Sequence, residues 1–249
     1  MFRSVLSLEN LHVQIGQRMI LQDISLEVKS GEMIGIIGPN GCGKTTLLNA
    51  ISGFLPVDTG TISINGQDAM NLPAHKRAAL GVARGFQHAG IFREMTVEEN
   101  IIMAVERAQN FPWWWTMSSA FRKKMSGAVE SALEEVNLAS HKKSLAGVLS
   151  GGELRLLELA RLKIMHGNLL LLDEPTAGVA PVLKDALGKM IKKLSKEHGR
   201  TVVIVEHDLQ FLFNLAERIV VLVDGQKYIE GAPEDVRRDE RLQKIYFGE

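Results

Sequence analysis

Gly38-Pro39-Asn40-Gly41-Cys42-Gly43-Lys44-Thr45 decides how this chain is read. The spacing glycine, four residues, glycine, lysine, hydroxyl is that of a loop whose backbone N–H groups wrap nucleotide phosphates. The apolar run Met33-Ile34-Gly35-Ile36-Ile37 precedes it and reads as a buried strand. Thr46-Leu47-Leu48-Asn49-Ala50-Ile51 follows and reads as the start of a helix. Strand, glycine loop, helix is the context in which the motif has a mechanism. Glycines keep Cβ atoms out of the way of the phosphates. The new helix turns its free N–H groups and positive dipole end toward the anion. Lys44 is placed to reach the outer phosphates, and the Thr45 hydroxyl to ligate Mg²⁺.

Further along, Leu169-Leu170-Leu171-Leu172-Asp173-Glu174 reads as a strand buried on both faces that ends in two carboxylates. Open α/β sheets place ligands at that end of their strands. Asp173 suits a Mg²⁺ ligand acting through water, and Glu174 a base that deprotonates the water attacking a γ-phosphate. Without the phosphate loop, the same pair would be a solvated acidic turn. Leu149-Ser150-Gly151-Gly152-Glu153 opens a strongly helical run, with Ser150 as N-cap and the first N–H groups as a second anion seat; the plain alternative is an ordinary helix start. His207 follows a strand at 201–205 and is placed either to sense a γ-phosphate or to be satisfied by backbone. The Gln87 side chain, in Arg84-Gly85-Phe86-Gln87-His88, is either a metal ligand or a surface-loop residue.

The rest of the chain gives these motifs a frame. Loose alternation over 6–15, 20–28 and 61–64, with a turn at Asn65-Gly66, predicts a small antiparallel sheet. Between 74 and 148 the texture becomes helical; Met125, Val129, Leu133 and Val136 share a face of a helix expected over 122–138. Strands and helices then alternate, which predicts a mostly parallel α/β sheet. The 249 residues, 45% hydrophobic, form one domain with an internal insertion: a nucleotide-binding core at about 1–87 and 149–249, and a helical subdomain at 88–148. Lys+Arg and Asp+Glu both number 29, so no net field favours nucleic acid. The single cysteine, Cys42, excludes an internal disulfide and reads as a small filler, although a helix N-terminus can lower a thiol pKa. No apolar run approaches the roughly 20 residues of a membrane span, and no signal peptide is expected, so another chain would hold this one at a membrane. Trp113-Trp114-Trp115 is either an interface patch or subdomain core.

A phosphate loop, a glutamine loop, Leu-Ser-Gly-Gly, an apolar strand ending Asp-Glu and a late histidine occur in the order found in ATP-binding cassette (ABC) ATPases. The chain resembles that family over nearly its whole length. The resemblance implies the P-loop NTPase ABC ATPase fold, with an antiparallel β subdomain and an inserted helical subdomain. ATP would be held by Gly38, Pro39, Asn40, Gly41, Cys42, Gly43, Lys44, Thr45 and Thr46, with Gln87, with Ile15 against adenine, and with Ser150, Gly151 and Gly152. Mg²⁺ would sit at Thr45, Gln87 and Asp173, with Glu174 and His207 catalytic. Two cassettes, identical or paralogous, would close head to tail on ATP, and Gln87 would link the site to transmembrane permease subunits. Mechanical and translational members of the family carry long insertions or paired cassettes that 249 residues do not hold. A GTPase is disfavoured because no Asn-Lys-x-Asp segment is present.

Ala83-Arg84-Gly85-Phe86-Gln87, the stretch at 91–100, Val205-Glu206-His207-Asp208 and the ending Ile245-Tyr246-Phe247-Gly248-Glu249 look like the ATPase of branched-chain amino acid importers. Urea/amide importers and the lipopolysaccharide-export ATPase share parts of the pattern. An importer implies a solute-binding protein as an indirect partner and a peripheral location on the cytoplasmic face of the membrane. Three features depart from the pattern. Ile15 stands where the family often places an aromatic residue, Ala180 stands where many relatives carry aspartate, and the signature around Ser150 is intact where branched-chain relatives often deviate.

Overall fold

The computed structural model describes residues 4–85, 90–109, 119–165 and 167–247. The chain opens with β1 (Ser4–Ile15), β2 (Arg18–Lys29) and β3 (Met33–Ile37), then α1 (Lys44–Ser52). β4 (Thr59–Ile64), β5 (Gln67–Asp68), α2 (Ala74–Ala79) and β6 (Val82–Gly85) follow. Next come α3 (Val97–Gln109), α4 (Ser119–Glu135) and α5 (Gly151–Ile164). The remainder runs β7 (Leu169–Asp173), α6 (Pro181–Lys196), β8 (Thr201–Val205), α7 (Leu209–Phe213), β9 (Arg218–Val223), β10 (Gln226–Gly231), α8 (Pro233–Arg237) and α9 (Glu240–Phe247). Packing separates two units: Met1–Arg84, Gly167–Glu174 and Ser195–Glu249 form one, Gly85–His166 and Pro175–Leu194 the other.

The first unit holds both sheets. The small one runs β2-β1-β4-β5, with β1 antiparallel to β2 and to β4, as the alternation predicts. Leu6, Leu8, Leu11 and Val13 are buried along β1; the three-residue step from Leu8 to Leu11 is absorbed by a register shift beside Asn10, whose φ is 48°. The larger sheet runs β10-β9-β3-β8-β7-β6, and β9, β3, β8 and β7 are mutually parallel. Every residue of β3, β7 and β8 is buried, the expected consequence of continuous apolar runs. Each leucine of β7 withdrawn from water contributes roughly 1.5–3 kcal/mol. The parallel arrangement brings the C-terminal ends of β3, β7 and β8 to one edge of the sheet.

α1 is finished at its C-terminus by Arg77, which is 2% exposed. Its guanidinium donates to the carbonyls of Ala50, Ile51, Met70 and Leu72, so a fixed positive charge meets the negative end of the helix dipole.

The second unit is helical. α3 begins with a capping box: Thr96 Oγ1 accepts from the Glu99 N–H at 3.2 Å, and Glu99 Oε2 accepts from the Thr96 N–H at 2.8 Å. Asn100, fully buried, bonds both backbone groups of Phe92 and pins the segment before this helix. Met125, Val129 and Leu133 are buried along α4, but the helix ends at Glu135 rather than 138. Asn137 takes φ 56°, its N–H bonds Glu134 O at 3.1 Å and the Leu138 N–H bonds Leu133 O at 2.8 Å. That is a Schellman stop, which an apolar periodicity does not reveal. Val136 and Leu138 stay buried beyond it. Glu135 receives both Lys163 and Lys193. The helical region expected at 88–148 lies in this unit together with α5.

Candidate functional site

The loop after β3 is shaped by close approach. A Cβ on Gly38 would stand 2.1 Å from Leu222 O and 2.5 Å from Cys42 Sγ, so no other residue fits. Gly43 caps α1 with φ 103°, in the left-handed region, and a Cβ there would meet Leu21 Cδ2 at 2.6 Å. No side chain caps α1, and its first turn carries no acidic residue. The first N–H groups of the helix are therefore left for a ligand, with the positive dipole end behind them. Lys44 Nζ donates to Gly38 O at 2.7 Å and Pro39 O at 2.9 Å, which folds the ammonium across its own loop. Thr45 is exposed and Thr46 half-buried. Cys42 is buried, and burial outweighs the Lys44 charge and the hydrogen bonds around it, so its thiol is pushed up.

At the neighbouring strand ends the carboxylates separate in role. Asp173 is 3% exposed; burial pushes its carboxyl up, opposed chiefly by the Arg84 guanidinium. Thr45 Oγ1 donates to Asp173 Oδ1 at 3.4 Å. A hydroxyl and a carboxylate oxygen converging in this way are hard donors of the kind Mg²⁺ takes when phosphates and water complete its shell. Among the described residues no group of three or more His, Cys, Asp or Glu is arranged to hold a metal ion. Glu174 sits at φ 48°, a conformation that a non-glycine residue adopts under constraint; its N–H is fixed by Val205 O at 2.9 Å. His207 Nε2 lies 2.9 Å from Glu174 Oε1, so two residues picked out separately in the sequence touch. Glu206, 3% exposed, accepts the N–H groups of His207 at 2.9 Å and Asp208 at 3.3 Å. Asp208 in turn caps α7 through the Phe211 N–H at 3.0 Å.

In the helical unit, α5 opens at Ser150 with a full capping box. Glu153 Oε2 accepts from the Ser150 N–H at 2.8 Å and from its hydroxyl at 2.7 Å. These bonds hold the Glu153 carboxyl below the usual range. Gly152 is closely packed: a Cβ would meet Leu183 Cδ1 at 2.4 Å, and that side chain would have to turn aside. Gly151 is exposed beside it. Ala180 is exposed just before α6, and its carbonyl accepts the Leu183 N–H at 2.9 Å. Ile15, the last residue of β1, is 51% exposed and offers an apolar side chain. Gln87 and Trp113-Trp114-Trp115 lie outside the described residues.

The sequence reading passes over Arg84, Asn49, Ser52 and Glu206. Arg84 is a charge within a short strand of small residues, and Glu206 one of two carboxylates around a histidine; only those oddities signalled them.

An uncapped helix behind a glycine loop, with a lysine beside it and acidic strand ends next door, defines a P-loop nucleoside triphosphatase. Comparison with known proteins narrows the class. Residues 21–177 match the family model described as ABC transporter. The branched-chain amino acid transport ATP-binding protein BraF of Pseudomonas aeruginosa is 37% identical, with 100% of both chains covered. The lipopolysaccharide export ATP-binding protein LptB of Haemophilus influenzae is 35% identical over 99% of this chain and 98% of its own. The ADP conformation of MJ1267, an ATP-binding cassette of an ABC transporter, has a TM-score of 0.83 and 32% identity, covering 99% of each chain. The dimeric post-hydrolysis cassette MJ0796 with ADP and Pi has a TM-score of 0.78 and 26% identity, covering 92% of this chain and 98% of its own. This chain belongs to the ABC transporter family, as an ATP-binding subunit and ATPase.

Proposed function

We propose that this chain powers a membrane importer of branched-chain or related amino acids, as one of two cassettes that close head to tail on ATP. The observation that carries the reading is its likeness to a branched-chain cassette across the full length of both chains. The geometry is in keeping with it. Lys44, the α1 N-terminus and Thr46 would bind the phosphates, and Ile15 would pack on adenine. Thr45, Asp173 and Gln87 would hold Mg²⁺, which when bound neutralises phosphate charge. Glu174 would orient and deprotonate the attacking water. His207, held by Glu206 and now against Glu174, would exchange that contact for the γ-phosphate. Ser150, Gly151 and Gly152 would meet the nucleotide of the opposing cassette.

Among the described residues no helix is long and apolar enough to cross a membrane. The chain would sit peripherally on the cytoplasmic side, docked on permease subunits and served by a solute-binding protein. Phe92, Leu145 and Val148 support such docking, since all three are exposed on the helical unit.

Intact mass spectrometry of the complex formed with the membrane subunits of its own organism tests the proposal, together with ATPase stimulation by a binding protein loaded with a branched-chain amino acid. Stimulation is the expected result. Lipopolysaccharide-export subunits as the partners, with no binding protein cooperating, would overturn it in favour of the reading that the LptB likeness suggests.

A further inference from the structure

Arg84 is a buried charge at a place the phosphate chemistry does not explain. It lies in β6, and Asp173 ends β7, the neighbouring strand. Their side chains are 8% and 2% exposed, with Arg84 Nη2 3.3 Å from Asp173 Oδ2. The other arm of the guanidinium is anchored on α1: Nη1 donates to Asn49 Oδ1 at 2.6 Å and Ser52 Oγ at 2.8 Å. The Phe54 ring covers it, with its centroid 5.7 Å from Cζ. Asp173 is thus held from two sides, with Oδ2 toward Arg84 and Oδ1 toward Thr45.

We propose that Arg84 is a positioning residue for Asp173, fixing one carboxylate oxygen so that the other faces the metal position beside Thr45. The inference rests on the Mg²⁺-ATP reading above. A carboxylate is free to turn about its last bond, and a metal ligand that turns is a poor one; groups behind the ligand remove that freedom. Arginine suits the task because its planar fork spans two anchors at once, whereas lysine presents a single compact charge. The anchors are on α1, whose N-terminus faces the phosphates. The same guanidinium therefore fixes the carboxylate relative to the helix that carries Lys44 and Thr45. Gln87 comes three positions after Arg84, so the strand that leads to the glutamine loop is tied to both landmarks of the site.

The test uses the purified full chain and three variants, Arg84→Lys, Arg84→Met and Asn49→Ala. Binding of a fluorescent ATP analogue is measured in EDTA and across a Mg²⁺ titration, with thermal unfolding recorded alongside. Both Arg84 variants should bind metal-free nucleotide within about twofold of the unaltered chain, while the Mg²⁺ concentration that half-saturates the response rises about 10–100-fold. Asn49→Ala, which leaves the ion pair in place and removes one anchor, should shift it the same way by less, and keeps the test open if Arg84→Met does not fold. An unchanged Mg²⁺ response with only a lowered unfolding temperature would overturn the proposal and leave the pair structural. A lowered Mg²⁺ requirement would also overturn it, marking Arg84 as a competitor of the metal. No Mg²⁺-dependent nucleotide binding by the unaltered chain would sink the reading beneath it as well.

Discussion

Two helices of this chain begin at glycine-containing turns, and their N-termini are finished in opposite ways. α1 has Gly43 as its cap, no side-chain acceptor and no acid in its first turn. α5 has Ser150, a complete capping box and Glu153 in its first turn. The first terminus has donors left over, and an anion completes it. At the second, the capping box already satisfies the Ser150 and Glu153 N–H groups, so an anion arriving there meets a resident carboxylate. Under the proposed function α1 would bind ATP within one cassette, while α5 would engage only when a second cassette brings its nucleotide. Similar glycine-rich motifs thus have different resting states, and the capping residue decides which.

The largest expected effect tests whether the two termini meet on one nucleotide. Glu174→Gln should leave ATP binding intact and cut turnover about 10²–10⁴-fold, the range of a lost general base, with ATP-dependent dimers accumulating in sedimentation. Normal turnover in that variant would remove Glu174 as the base. Next, Lys44→Ala should weaken nucleotide binding by the isolated chain about 10–100-fold, the worth of a hydrogen bond to a charged group. Unchanged affinity in a titration would show that α1 does not depend on its lysine.

Ser150→Ala sharpens the contrast. It should leave nucleotide affinity of the isolated chain unaltered, abolish the dimer trapped by Glu174→Gln, and cost about 0.5–2 kcal/mol of stability in urea unfolding, as lost N-caps do. Equal damage to isolated-chain binding would break the comparison. The smallest effect is a pH dependence. Because the folded chain holds Glu153 below its ordinary range, it binds fewer protons there than the unfolded chain. The capping box should therefore stabilise fully above roughly pH 4.3, the ordinary glutamate value, and fade as pH falls through the depressed folded value. Urea unfolding of the unaltered chain and Glu153→Gln from neutral to acid pH should show their difference shrinking toward acid.

Legibility followed the distance over which each feature is written. The phosphate loop, the four leucines before Asp173 and the capping residue Ser150 are runs of neighbours, and local chemistry reads them directly. The contact of His207 with Glu174 spans 33 positions, 207 less 174, and Arg84 meets Asp173 across 89. Nothing in either stretch names its partner. The early stop of α4 was hidden because Asn137 ends the helix through its backbone conformation while apolar residues continue past it.

The amino-acid sequence by itself determined the class of chemistry, because phosphate binding needs small residues, a lysine and a helix start in immediate succession. It also determined the parallel sheet, whose strands must be apolar on both faces when helices cover them. Only the tertiary structure decided which charges neutralise one another. The sheet order that brings β6, β7 and β8 side by side sets Arg84 on Asp173 and His207 on Glu174, the first pair buried and the second open to solvent on the histidine side. Folding likewise decided that the Cys42 thiol is pushed up, since exclusion of water outweighs the neighbouring Lys44 charge in setting its acidity.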